Sequence, residues 1–218
     1  MSISVTPRVA ERRQRTIDTA LDHATDVMTE SGVGGLTISE VARRMGMRPP
    51  SLYKYFPSLH ALYDALFARA TREQLATIES ATSGLDGVAA LRAGSAALMR
   101  LAVEHSALAQ LVSWRPVPEF EPAPETFALS VDIVAKFRAL VRDAVRGGEL
   151  TRAADRDDAI ALLSIVLTGI VTQQLANEPG VAYDEGRFTR LTDRALDMYL
   201  AVYTPRRSDA TAARSRRG

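Results

Sequence analysis

The 218-residue chain contains no cysteine, one tryptophan, three histidines and only two lysines, Lys54 and Lys136, among its 27 basic residues. Without cysteine the chain forms no disulfide, thiolate zinc site, iron–sulfur cluster or cysteine nucleophile. The N-terminus has no apolar signal segment, and no window approaches 18 consecutive apolar residues, so we expect a cytoplasmic protein without a membrane span. With 46% hydrophobic residues, the chain is long enough to bury a sizeable core.

The net charge of +1 hides an uneven distribution of basic and acidic residues. Residues 1–72 carry 10 basic and 7 acidic side chains, residues 73–204 carry 12 and 18, and residues 205–218 carry 5 and 1. A basic head and a basic tail therefore flank an acidic middle. This pattern is compatible with a nucleic-acid partner for the head, which the net charge alone disfavours.

Apolar side chains recur at helical spacing through most of the chain, and no convincing strand pattern is present. Ile17 to Met28 follow this spacing up to Gly32, which is a suitable helix C-cap. A second helix is expected after Thr37, a short third one from Pro49 and a long fourth one from Ser58. Five more are predicted at about 86–104, 106–114, 125–146, 156–177 and 187–203. The sequence thus predicts an all-α fold of about nine helices.

Residues 37–56 have the organisation of a helix-turn-helix. Thr37 and Glu40 have the spacing of a capping box, and Gly46 ends the two-turn helix that follows. Pro49 can occupy the first position of the next helix, which must be short because Pro57 follows. In a helix-turn-helix the second helix enters the DNA major groove.

Enzymatic alternatives find little support in the residues. The chain has no glycine-rich phosphate loop, no His-Glu-x-x-His and no Gly-x-Ser-x-Gly motif. A recombinase or nuclease carrying a helix-turn-helix would need clustered carboxylates, or a Ser or Tyr nucleophile with arginines, and no such set can be assembled. We therefore expect no catalysis, no cofactor and no metal.

The segment Leu-Thr-Ile-Ser-Glu-Val-Ala-Arg-Arg-Met-Gly at 36–46 and the segment Pro-Ser-Leu-Tyr-Lys-Tyr-Phe-Pro-Ser at 50–58 resemble the DNA-binding domain of the TetR family. The resemblance covers roughly residues 12–72. It implies a flexible N-terminus at 1–11, a DNA-binding domain at 12–72 and a helical effector-binding and dimerisation domain at 73–204. The basic tail at 205–218 has too few apolar residues to fold and is expected to be disordered.

The resemblance also implies roles for individual residues in DNA binding. Base edges or methyl groups would be contacted by Ser39, Arg48, Pro49 and Tyr53; phosphates by Thr37, Ser51 and Tyr55; and either by Lys54. Relatives usually have His in place of Tyr55 and a basic residue in place of Leu59. We therefore expect the salt dependence of binding to be weaker by roughly one phosphate contact per subunit.

A two-fold DNA site requires a dimer, and the last two long helices are the predicted interface. Its residues would be Ile160, Leu163, Leu167 and Val171, with Leu191, Ala195, Met198 and Val202. Aromatic, methionine and valine side chains could line an effector pocket: Met99, Val103, Trp114, Phe120, Phe127 and Phe137. The resemblance implies a repressor released from a palindromic operator by a small apolar or amphipathic ligand. A regulator or activator without an effector is the open alternative.

Overall fold

A computed structural model describes residues 7–114 and 116–205. Within these residues the chain forms nine α-helices and no strand. The α-helices are α1 (Pro7–Ser31), α2 (Ile38–Arg44), α3 (Pro49–Leu52), α4 (Leu59–Thr82), α5 (Gly87–Glu104), α6 (Ser106–Trp114), α7 (Pro124–Arg146), α8 (Asp157–Asn177) and α9 (Thr192–Tyr203). Short 3-10 helices lie at Val33–Gly35, Arg152–Asp155 and Thr189–Leu191. The all-α prediction is confirmed.

The chain divides into two compact units. The first takes in the chain through Ala70 together with Ser106–Phe127, and the second takes in Thr71–His105 and the chain from Ala128 onward. The first boundary lies close to the predicted one at residue 72, but Ser106–Phe127, which the sequence places in the second domain, belongs to the first unit because α6 and the segment after it pack with the N-terminal helices. Helices α4 and α7 each begin in the first unit and end in the second.

The first unit is built on the apolar face of α1. Ala20, Ala24 and Val27 on this face are buried, and side chains from α2, α3, α4 and α6 complete the same core. Tyr63 of α4 is buried as well, and its hydroxyl donates a hydrogen bond to the carbonyl of Val33 at 2.6 Å. This bond satisfies the one polar atom of a large buried ring.

The second unit packs α5, α7, α8 and α9 around buried Leu91, Val141, Leu163 and Leu196. Apolar spacing alone locates these helices to within about five residues at either end. The largest error is at the start of α9, which begins at Thr192 rather than near 187.

Side-chain hydrogen bonds explain the late start of α9. The amide N–H of Phe188 donates to Oε1 of the buried Gln174, and the hydroxyl of Thr189 donates to the carbonyl of Tyr183. These bonds hold the preceding segment in a loop and a 3-10 turn, a local preference that apolar spacing does not reveal.

The first helix also starts earlier than predicted. Residues 7–11, expected to be flexible, form the first turns of α1. Residues 8–11 are exposed and carry no apolar stripe, so the apolar pattern could not detect these turns. Residues 1–6 and 206–218, including most of the predicted disordered tail, lie outside the described residues.

By length and composition α8 could cross a membrane. Its mean hydropathy is 1.8, and a third of it is buried inside the second unit. The helix contains no long uninterrupted apolar run, because Ser, Thr, Gly and Gln interrupt the apolar residues. Much of α8 therefore presents small and apolar side chains at the surface of the unit.

Candidate nucleic-acid interface

The turn between α2 and α3 follows directly from its residues. Gly46 adopts φ 65°, a left-handed conformation that glycine tolerates best. Its N–H donates to the carbonyl of Arg43 at 3.1 Å, and the N–H of Met47 donates to the carbonyl of Ala42 at 2.8 Å. This pair of bonds ends α2 as a Schellman motif and leads the chain into α3 within a few residues.

Helix α3 is held down by two apolar side chains. Leu52 is fully buried and Phe56 nearly so in the core of the first unit. Arg48 precedes the helix in an extended conformation, and Pro49 and Pro50 fill its first two positions. With one face fixed in the core, the other face of this short helix is turned to solvent.

The eight predicted DNA-contacting residues all lie in the first unit, at the start of α2 or around α3. Thr37, Ser39, Arg48, Tyr53 and Lys54 are exposed, and Pro49, Ser51 and Tyr55 are half-buried. The ring of Tyr53 is a large apolar group left 50% exposed. Two cations and several hydroxyl donors thus share an exposed region.

Thr37 has a structural task in addition to its predicted phosphate contact. Its Oγ1 accepts a hydrogen bond from the N–H of Glu40 at 3.1 Å and so caps α2. A hydroxyl that accepts in this way still has its hydrogen to donate. The hydroxyl can therefore serve the helix and donate to an anion at the same time.

In the predicted capping box, the side chain of Glu40 binds two arginines. The carboxylate of Glu40 accepts hydrogen bonds from Arg43 at 2.7 and 2.8 Å and from Arg44 at 2.9 Å. Arg44 also binds Glu30 of α1 with contacts of 2.6 and 2.9 Å. These bonds, those from Arg43 foremost, hold the pKa of Glu40 at about 2. The cluster thus joins α2 to α1 through charged pairs.

Arg13 of α1 was not identified from the sequence. Its Nη2 donates to the carbonyl of Lys54 at 3.4 Å, and its guanidinium carbon lies 5.0 Å from the centre of the Tyr55 ring. Apolar spacing cannot reveal this contact because Arg13 lies in the polar first turns of α1. The only sequence signal is the basic run around it, Arg-Arg-Gln-Arg at 12–15.

Leu59 is half-buried and packs against the core of the first unit. The neighbouring His60 is exposed, and its ring contacts Phe120 edge-on at 6.0 Å between centroids. The start of α4 therefore contributes packing at this position, and the expected loss of a phosphate contact stays a prediction.

Comparison with known proteins finds a family that the N-terminal segment resembles. Residues 20–66 match the family model described as bacterial regulatory proteins, tetR family. The N-terminal segment of the chain is thus similar to the tetR-family regulators. It is also 43% identical over 49 residues to the class A tetracycline repressor protein from transposon 1721 of Escherichia coli, covering 22% of this chain and 23% of that protein.

Two solved structures share the whole fold at low identity. A TetR-family transcription regulator from Marinobacter aquaeolei is 16% identical with a TM-score of 0.66, covering 90% of this chain and 100% of that one. The transcriptional regulator FadR of Bacillus subtilis, solved in complex with stearoyl-CoA, is 15% identical with a TM-score of 0.71, covering 84% and 97%. The chain thus has the fold of TetR-family regulators beyond the matched N-terminal segment.

The residues proposed from the TetR resemblance to bind an effector are divided between the units. Met99, Val103 and Phe137 belong to the second unit, where Met99 and Phe137 are buried and Val103 packs against the same core. The other three, Trp114, Phe120 and Phe127, belong to the first unit. Phe120 is a core residue there, 5.6 Å from the Tyr63 ring, whereas Trp114 and Phe127 are exposed.

The expected dimer stripe on α8 requires correction. Ile160, Leu163 and Leu167 are buried within the second unit, and Val171 packs against the same core. Helix α8 is apolar on several faces, so the spacing rule selected the face that packs internally. The exposed apolar side chains on the other side are Leu162 and Ile165, the latter 66% exposed.

Most of the residues expected at the interface on or next to α9 are exposed, unlike those expected on α8. Leu191, just before the helix, and Met198 and Val202 on it are exposed, with Met198 at 69% and Val202 at 68%. Ala195 between them is half-buried. These four residues remain candidates for an interface. The exposed Leu162 and Ile165 of α8 are further candidates.

Proposed function

We propose that the chain is a bacterial transcriptional regulator that places α3 in the major groove of a specific DNA site. The observation that carries this proposal is that α3 and the residues next to it have one buried face and one exposed face. Leu52 and Phe56 fix one face in the core, while Arg48, Tyr53 and Lys54 are exposed. A rigidly held helix with exposed donors is what base reading requires.

Individual contacts follow from the chemistry of these side chains. Arg48 can donate two hydrogen bonds to guanine O6 and N7, and Tyr53 can combine a hydroxyl donor with ring contact to a thymine methyl. Ser51 and Thr37 carry hydroxyls suited to phosphate oxygens. We therefore assign selectivity chiefly to Arg48 and Tyr53, and positioning on the backbone to the two hydroxyls.

Duplexes selected by the protein from a random pool provide the ligand for the test. Arg48→Ala and Tyr53→Ala should each lower the affinity for the selected duplex far more than that for random DNA, by about 1–3 kcal/mol for Arg48. Ser51→Ala should weaken both by a similar factor. Equal losses on random DNA for all three variants would overturn this assignment.

We further propose a homodimer formed by the exposed apolar side of α8 and α9. Support comes from Leu162, Ile165, Met198 and Val202, which leave apolar surface in water although neighbouring residues of both helices are buried. Small Gly169 and Ser164 on the exposed side of α8 would let a partner helix approach closely. Such a surface is better explained by a second subunit than by permanent exposure.

The effector is proposed to be a small apolar or amphipathic molecule that binds the second unit and releases the protein from its operator. Support comes from the buried Met99 and Phe137 with Val103 beside them, and from the stearoyl-CoA complex of the Bacillus subtilis relative. Because α4 continues from the first unit into the second, a displacement of α4 would change the separation of the two recognition helices. The ligand must then prefer the state that does not bind DNA.

Stearoyl-CoA is the probe for this part of the proposal, with free coenzyme A as the control for the headgroup. The expected result is a higher melting temperature and a weaker affinity for the selected duplex with stearoyl-CoA, and neither effect with coenzyme A. Binding that leaves DNA affinity unchanged would contradict ligand release. It would instead favour a regulator that acts without this class of effector.

A further inference from the structure

Arg13 occupies a position that links the first helix to the end of the recognition helix. It lies in α1, 41 residues before the carbonyl group of Lys54 that accepts its hydrogen bond. The same guanidinium lies over the ring of Tyr55. One exposed side chain thus contacts the backbone of one residue and the aromatic face of the next.

We propose that Arg13 is a positioning residue that sets the orientation of α3 for base reading. This inference rests on the proposed DNA-binding function and adds to it a residue outside the helix-turn-helix. Lys54 and Tyr55 lie in the turn that follows α3, directly after the exposed Tyr53. Fixing this turn from the side of α1 limits the movement of Tyr53 relative to the core.

The chemistry of arginine suits both contacts. A guanidinium is planar, so it can stack on an aromatic ring while its edge donates to a carbonyl. A lysine ammonium has the same charge but lacks the planar fork. The two contacts therefore depend on the shape of the side chain as well as on its charge, which makes the conservative Arg13→Lys variant informative.

A positioning role of Arg13 can be distinguished from a direct attraction to DNA phosphate by the salt dependence of DNA affinity. A cation that neutralises a phosphate contributes about one unit to the slope of log affinity against log salt concentration. A cation already placed on Lys54 and Tyr55 acts through α3 and leaves this slope nearly unchanged when it is removed. Arg12, exposed and adjacent in α1, provides the control for loss of one positive charge.

The test measures affinity for the selected duplex and for random DNA over a range of salt concentrations. Arg13→Ala and Arg13→Lys should both reduce the preference for the selected duplex, by about tenfold for the alanine variant. Their salt slopes should match the wild type, and Arg12→Ala should keep the wild-type preference. A normal preference in Arg13→Lys, or a slope reduced by one in Arg13→Ala with its preference intact, would overturn the proposal.

Hydrogen exchange in the DNA-free protein provides a readout that does not depend on DNA binding. The amides of residues 51–56 should exchange faster in both Arg13 variants than in wild type and Arg12→Ala. Unchanged exchange would contradict the positioning role even if DNA affinity falls. Failure of the wild type to select any duplex would instead contradict the proposed function, so the two failures are distinguishable.

Discussion

At the scale of single residues, the first unit depends on polar contacts that link its helices. Glu40 binds Arg43 and Arg44 of its own helix, and Arg44 reaches Glu30 of α1. Exposed ion pairs usually contribute little, but here four charges form one connected network, and networks are the case in which such pairs matter. The network fixes α2, which contains the proposed DNA contact Ser39 and is capped by another, Thr37.

The network predicts a specific pH dependence. The pKa of Glu40 is about 2 in the folded protein against an ordinary value of 4.5, so its stabilisation is complete above about pH 5 and is lost as the pH falls towards 2. Glu40→Gln should therefore lower the melting temperature at pH 7, and the difference from wild type should shrink as the solution is acidified. Thermal unfolding followed by circular dichroism from pH 7 to pH 2 measures this.

Glu73→Gln is the control, because Glu73 is an exposed carboxylate of α4 outside the network. It should have little effect on the melting temperature at pH 7. A Glu40→Gln melting temperature equal to that of wild type at pH 7, or a difference that grows in acid, would show that the network does not stabilise the unit.

Thr37 allows capping to be separated from DNA contact. Thr37→Ala should lower the free energy of unfolding by about 1 kcal/mol through loss of the N-cap, and should weaken DNA binding as well. Thr37→Ser should retain both because it keeps the hydroxyl. Thr37→Asp should keep the cap but weaken DNA binding, since a carboxylate accepts from the Glu40 N–H and repels phosphate. Tight DNA binding by Thr37→Asp would exclude a phosphate at this position.

At the scale of elements, α7 begins on a cap supplied by another helix. The carboxylate of Asp64 in α4 accepts hydrogen bonds from the N–H of Ala123 and from the hydroxyl of Thr126, both at 2.8 Å. Helix starts carry unpaired N–H groups, so a carboxylate here satisfies donors at the first residues of α7.

Asp64→Ala should lower the free energy of unfolding by about 1–3 kcal/mol, because it leaves these two donors without their acceptor. Asp22→Ala is the matched control: Asp22 forms an exposed ion pair with Arg69 at 2.6 Å, and its loss should cost less than about 1 kcal/mol. Urea denaturation gives both values. Equal effects of the two substitutions would mean that the Asp64 cap contributes no more than a surface pair.

Most elements could be predicted from the sequence because apolar spacing and capping residues are local signals. The residue types predict the buried face of α1 from Ala20 to Val27, the cap of α2 at Thr37 and the turn at Gly46, and the structure has all three. Contacts between distant segments could not be predicted, because Arg13 with Tyr55 and Asp64 with Thr126 join polar residues that no spacing relates. The exposed face of α8 could not be predicted either, because an apolar helix offers more than one plausible stripe.

At the scale of the whole molecule, a two-fold DNA site requires two subunits, which we propose to be joined through exposed side chains of α8 and α9. Ile165→Arg should give a monomer at micromolar concentration with unchanged helical content, because the residue is 66% exposed in the single chain and its loss does not disturb the core. Leu163→Ala should instead destabilise the fold by about 2–5 kcal/mol, since Leu163 is buried. Sedimentation and thermal unfolding distinguish the two effects.

A dimeric Ile165→Arg variant would place the interface elsewhere. A wild-type protein that stays monomeric at micromolar concentration would contradict the dimer itself. Loss of helical content in Ile165→Arg would show that this side chain supports the fold rather than an interface.

We propose that this chain reads a two-fold DNA site with α3. The decisive experiment is the selection of bound sequences from a random duplex pool. We expect an enriched palindrome whose half-sites are about 34–36 Å apart, or a multiple of that spacing, and no enrichment of it by the Arg48→Ala variant. A pool that shows no enriched sequence, or one enriched for a site without two-fold symmetry, would contradict the claim.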